Sequence, residues 1–217
     1  MNQSYKINFF NFSISILTFF ILPLSIPTLI SFTNNLTISY ALIFSLQALI
    51  IITINYKMIE VHFKRFLKNK ENIIFILFGI VLFTSVLLLN MNLIKGYLPS
   101  IDFFTLKRFF LFSPFIVISF TIFFPISYCV TYKILTDKIE IANIEILIIF
   151  LTSLVFGALV SLTYVPFSLD GFLRSFLFYS FISGVLSYLY NQTNSLTTSY
   201  ISFAIVLLIK EIIIHFI

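Results

Sequence analysis

Residues 73–93 read IIFILFGIVLFTSVLLLNMNL, a run without a single charged side chain. At 1.5 Å per residue such a run forms a helix about 30 Å long, the thickness of a bilayer's hydrocarbon core. Lipid offers the backbone no hydrogen-bond partners, so a segment that crosses it must be a helix or a strand of a closed barrel. A barrel strand alternates apolar and polar residues. This run does not alternate, and it reads as a membrane-spanning helix.

Similar runs lie on both sides. Upstream, Ile7 to Ile30 is apolar but interrupted by Pro23 and Pro27, and a second run covers Ile38 to Tyr56. The first is too long and too broken for a signal peptide, and no small-residue cleavage site follows it, so it reads as a retained, kinked helix. Downstream, Phe109 to Tyr132 contains Pro114 and Pro125, and three more runs follow at Ile144–Val165, Ser175–Tyr190 and Leu196–Ile214. The expectation is all-α: a polytopic transmembrane helix bundle of about seven spans, forming a single integral membrane domain over residues 1–217. Residues 1–108 hold three spans and a basic loop at 57–71, and residues 109–217 hold four.

Composition agrees. The chain is 60% hydrophobic and 10% charged, where a soluble domain carries about 25% charged residues. The residues with AT-rich codons (Phe, Ile, Asn, Lys, Tyr) dominate, which points to an AT-rich bacterial genome. One cysteine, Cys129, excludes an internal disulfide and a multi-cysteine metal site. The net charge of +5 needs no nucleic-acid partner, because the basic residues sit in short segments beside apolar runs. The densest is Lys57–Glu71, with Lys57, Glu60, His62, Lys64, Arg65, Lys68 and Lys70 interleaved with Met58, Val61, Phe63 and Leu67. It reads as a topology-setting loop or a short amphipathic helix on the membrane face. With the N-terminus inside, eight Lys and Arg fall on the inner side and five on the outer. The positive-inside bias then puts the N-terminus in the cytoplasm and the C-terminus outside the cell.

Motifs of soluble enzymes are missing: no glycine-rich phosphate loop, no GxSxG and no HExxH. The two histidines, His62 and His215, lie outside the expected spans, so neither suggests a proton relay or a metal site within the bilayer. No cofactor is expected.

The second half carries a pattern. It runs Pro125-Ile126-Ser127-Tyr128-Cys129-Val130-Thr131-Tyr132-Lys133, then Phe156-Gly157-Ala158-Leu159-Val160, then Ser183-Gly184-Val185-Leu186-Ser187-Tyr188-Leu189-Tyr190 through Thr193-Asn194-Ser195-Leu196, and then a last helix. Over roughly residues 120–210 this resembles the CPBP family of intramembrane proteases, the CAAX-processing and bacteriocin-immunity group also called Abi. Its members carry a P-I-x-E-E-x-x-x-R helix, an F-G-x-x-H helix, a G-x-x-x-G-Y-L-Y-x-x-T-x-S-L segment and a helix with H-A-x-x-N. The resemblance implies a membrane helix bundle. It also implies a site in which a glutamate activates water and His and Asn hold the oxyanion.

The catalytic residues themselves do not match. Tyr128 and Cys129 stand at the glutamate pair, Lys133 at the arginine, Val160 at the first histidine, Phe203 at the second and Leu207 at the asparagine. Phe156 and Gly157, beside the first histidine position, do keep the family residues. A general base needs a titratable group in reach, and an oxyanion needs donors aimed at it. The resemblance therefore implies a pseudoenzyme with no catalytic residues and a cavity turned into packed core. Such a protein would bind a hydrophobic peptide or a membrane-protein partner, in bacteriocin immunity or regulation.

Two other readings stay open. One is an active protease with relocated residues: Glu140, Glu145, or Cys129 beside Lys133 one helical turn on. Against it, Glu145 opens a span, where an acid simply favours the helix dipole, and a lysine near a span end snorkels to the interface. The Asp170 and Arg174 pair reads as a local ion pair. The other reading is a small transporter-type membrane subunit, which usually shows polar residues or broken helices near the midplane.

Overall fold

The computed structural model describes residues 9–93, 144–164 and 169–216. All regular structure among them is helical, and no strand occurs there. Helix α1 spans Phe9–Ile21, a 3-10 turn covers Leu22–Ser25, and α2 spans Ile26–Thr33. The long α3 covers Leu36–Lys68 and α4 covers Asn72–Leu93. Then α5 spans Ile144–Tyr164, α6 Leu169–Thr193 and α7 Leu196–Phe216. The expected fourth span, Phe109–Tyr132, lies outside the described residues.

Proline explains the first break. Pro23 falls in the 3-10 turn, and Pro27 occupies the first turn of α2, where its missing N–H costs nothing. The basic segment corrects the sequence reading. It is neither a loop nor a separate surface helix. Residues 57–68 are the last three turns of α3, which holds 33 residues and is therefore about 50 Å long. No Gly or Pro falls between Leu36 and Lys68, so nothing stops the helix at Tyr56.

Three packing contacts organise the rest. Along α1 and α3, side-chain amides bind across the interface. Asn11 Nδ2 donates to the Ile54 carbonyl at 2.9 Å, Asn55 Nδ2 to Ser15 Oγ at 2.9 Å, and Gln47 Nε2 to the Thr18 carbonyl at 3.4 Å. These pairs run in opposite senses, so the two helices are antiparallel. Helices α5 and α6 are also antiparallel, and small residues let them close up: Gly157 meets Ser180, and Gly184 meets Ser153. Helices α4 and α7 run parallel. Ser202 Oγ donates to the Ile76 carbonyl at 3.3 Å, and Gly79 leaves the room that Ser202 occupies.

Two interhelical turns are built alike. The chain reads Thr33-Asn34-Asn35-Leu36-Thr37 before α3 and Thr193-Asn194-Ser195-Leu196-Thr197 before α7, each followed one residue later by Ser-Tyr. Asn34 and Asn194 take left-handed φ of 50° and 49°, the conformation asparagine tolerates best after glycine. In each turn the threonine hydroxyl donates four residues back, to Leu29 at 3.0 Å and to Leu189 at 2.7 Å. It also accepts the N–H of Asn35 at 3.2 Å and of Ser195 at 3.3 Å.

Among the described residues one helical segment, Phe172–Thr193, is by itself long and apolar enough to cross a membrane. The pair Ser45–Lys68 and Asn72–Leu88 passes the same test together, with a bend of 108° between them. The outward faces are strongly apolar: Ile146, Phe150 and Val155 of α5 are 71%, 59% and 55% exposed. Water tolerates isolated residues of this kind, but not a helix length of them.

Candidate functional site

Two places in the fold bear on function: the α4–α7 crossing, which holds Phe203 and Leu207, two of the positions aligned with the motifs the sequence resembles, and the contact of α3 with the α6–α7 turn.

The crossing is apolar. Phe203 is fully buried and Leu207 nearly so, in one cluster with Phe83, Val86 and Leu87. The Phe83 and Phe203 rings lie 4.7 Å apart, tilted by 31°. Phe156 of α5 is partly buried against the same cluster. Phe203 and Leu207 share a face because they stand four residues apart on a helix. The structure thus brings Phe203 and Leu207 together, whereas Phe156 lies on α5, which packs on α6. Tyr128, Cys129, Lys133 and Glu140 lie outside the described residues, as do the side chains of Val160, Asp170 and His215. Among the described residues, the cluster at this crossing holds no carboxylate, imidazole or amine. Among the described residues no group of three His, Cys, Asp or Glu side chains is placed to hold a metal ion. Glu145, in the first turn of α5, is exposed and accepts a hydrogen bond from Asn191 Nδ2 at 3.1 Å.

Comparison with protein-family models, curated proteins and solved structures found no match. The chain's own geometry carries the rest.

Buried hydroxyls line the interior of α5, α6 and α7. Thr152, Ser180, Ser183, Ser187 and Thr198 are buried, and their hydroxyls find no hydrogen-bond partner among the described residues. Left dry and unpaired, each such group would cost about 1–3 kcal/mol.

His62 is the residue that the sequence reading misplaced. It is buried, not part of a charged loop. Its Nδ1–H donates to the Asn194 carbonyl at 3.0 Å, which fixes the tautomer, since a carbonyl can only accept. Ser195 Oγ donates back to the His62 carbonyl at 3.1 Å, and the imidazole meets the Tyr190 ring edge-on at 5.5 Å. These contacts clasp the end of α3 to the α6–α7 turn. The signal was present in the sequence: Ile51, Asn55, Met58 and His62 are spaced four, three and four apart. All four are buried on one stripe that runs past the expected span end.

Burial lowers the His62 pKa to about 4 from its usual 6.5; the Asn194 hydrogen bond opposes that shift and the Arg65 charge adds to it. The imidazole is therefore neutral in the fold. Between pH 6.5 and 4 the unfolded chain binds a proton that the folded chain refuses. Stability is complete above pH 6.5, falls as pH drops toward 4 and levels off below. The full loss is about 3 kcal/mol. Thermal melts of detergent-purified protein at pH 7.5 and 4.5 check this. His62→Gln, which keeps a donor but does not titrate, should show a smaller drop. Equal drops in both proteins would remove His62 as the cause.

Proposed function

We propose that this chain is a multi-pass protein of the bacterial cell membrane with about seven spans and a CPBP-like bundle. It lacks peptidase activity and acts by binding a hydrophobic peptide or a membrane-protein partner, in bacteriocin immunity or in regulation. The observation that carries this reading is the burial of Phe203 and Leu207 against Phe83. At those positions the family has a histidine and an asparagine that face a reacting carbonyl. Sealed phenyl and isobutyl groups donate nothing to an oxyanion, and loss of one such donor costs about 10²–10³ in rate. A binder keeps the bundle and needs none of this chemistry. The N-terminus is cytoplasmic and the C-terminus external, because the basic end of α3 and the turn clasped to it then face the cytoplasm.

One experiment has two readouts. Reporters fused after Lys68 and after Ile217 should report the cytoplasmic and the external side. The purified chain should leave prenylated and signal-peptide-like substrates intact. Both fusions on one side would break the span count. Cleavage abolished by Glu145→Gln, Glu140→Gln or Cys129→Ser would establish a relocated active site instead.

A second reading, a small transporter-type subunit, draws on the two matching turns. They sit at opposite ends of α3, one at Leu36 and the other at His62, as in folds built from inverted repeats. It also draws on the buried hydroxyl seam. Cysteines placed at Ser183 and Ser187 would be labelled from both sides of the membrane by an impermeant reagent in a transporter. In a sealed binder they would be labelled from one side or neither.

A further inference from the structure

The last three turns of α3 have two faces. One is pinned to the protein by Met58 and by the His62 clasp. The other is exposed and itself divided. Tyr56, Phe63 and Leu67 form an apolar stripe, 62%, 50% and 64% exposed. Lys57, Lys64 and Lys68 form a parallel stripe beside it, seven and four residues apart, and Lys70 follows in the turn. At 100° per residue the two stripes lie side by side on one half of the helix. Among the described residues, the acidic residues that face this surface are Glu60, which pairs with Lys64, and Glu71 in the turn. Lys57, Lys68 and Lys70 outnumber what remains.

We propose that this face is a docking surface for the anionic phospholipid headgroups of one bilayer leaflet. Tyr56, Phe63 and Leu67 enter the acyl boundary, and the lysine stripe lies at phosphate level. The inference rests on the reading of the chain as a membrane protein and adds headgroup selectivity to it. Three features favour lipid as the occupant. The side-by-side apolar and basic stripes let the end of a spanning helix meet acyl chains on one side and phosphates on the other. A purely apolar partner helix would bury the lysines without counter-charges. Finally, the His62 clasp holds the face in a fixed rotation, so the lysines are preorganised and cannot turn away.

The test uses the full chain. It is purified in detergent with an equal mixture of phosphatidylcholine and phosphatidylglycerol, and the lipids that stay bound are counted by native mass spectrometry. Thermal stability is measured in vesicles of phosphatidylcholine alone and of the mixture. Phosphatidylglycerol should be retained preferentially and should raise the melting temperature. Each lysine near an anionic surface contributes roughly a fivefold preference, so Lys57→Gln/Lys64→Gln/Lys68→Gln should lower retention about tenfold or more. Should the triple variant fold poorly, Lys57→Gln and Lys68→Gln are read singly. Equal retention of both lipids by the native chain, or no change in the variants, would overturn the proposal. So would a stability loss of the same size in both vesicle types, which would mean that the lysines pair within the protein. Extraction of the native chain from membranes by alkaline carbonate would instead sink the membrane reading itself, which separates the two failures.

Discussion

Replacing Gly157 by leucine will separate α5 from α6 and cost the protein its cooperative melt. A Cβ at this position would lie 2.2 Å from Ser180 Oγ, 2.7 Å from the Ser180 backbone nitrogen and 2.8 Å from its Cα. Rotating the serine side chain relieves only the first clash. The other two are with backbone, so one helix must move as a body. The contact has little to spare. Helices in lipid associate through close packing of small residues rather than through a hydrophobic driving force. Here Ser153, Gly157 and Ser161 line α5 at four-residue intervals, against Ser180 and Gly184. Overpacking of this kind costs about 3 kcal/mol or more. Gly184→Ala is the matched control. Its Cβ would meet Ser153 Oγ at 3.3 Å and Ser153 Cβ at 3.9 Å, both on a side chain that can yield, and the change should cost under about 1 kcal/mol. Size-exclusion profiles and thermal melts in one detergent compare the two. A Gly157→Leu protein that melts with the native one would show that α5 and α6 do not approach this closely.

How much of this was legible in the sequence depends on the range of each signal. Helix content was open to reading, because long uncharged runs without alternation leave no other structure. The break near Pro23 was equally open, since proline acts on its own turn. The extent of α3 was harder. Charges at Lys57 and Glu60 look like the end of a span, yet the helix continues to Lys68. Hydropathy records what surrounds a helix, not whether its hydrogen bonds persist. The stripe through Ile51, Asn55, Met58 and His62 carried the better signal. The matching turns at Thr33 and Thr193 were also in the letters, but only once the two segments are set against each other. Pairings such as Gly157 with Ser180, His62 with Asn194 and Phe83 with Phe203 were not legible. They depend on which helices meet and in which register, and nearly uniform apolar surfaces leave that open. At the candidate site, the apolar character of Phe203 and Leu207 was visible, whereas their closure against α4 was not.

Phe203→Ala should destabilise the protein by about 3 kcal/mol, near the lower end of the range for a buried phenylalanine. The ring has no exposed surface and stacks on Phe83 at 4.7 Å, so truncation leaves a void that α4 and α7 cannot fill without moving. On the proposed reading of the chain as a membrane protein, the lower end applies because the reference state in lipid is also apolar. What is lost is dispersion contact, not shelter from water. Phe203→His separates the explanations of the site. If the crossing is packed core, the imidazole brings polar nitrogens among Phe83, Val86 and Leu87 with no partner, at a further cost of about 1–3 kcal/mol. The double change Phe203→His/Leu207→Asn, which introduces the histidine and asparagine of the motif the sequence resembles, should then be less stable than Phe203→Ala. Val155→Ala, on the exposed face of α5, should stay within about 0.5 kcal/mol of the native protein. The informative counter-result is a Phe203→His protein as stable as the native one. It would mean that the imidazole finds water or a polar partner at the crossing.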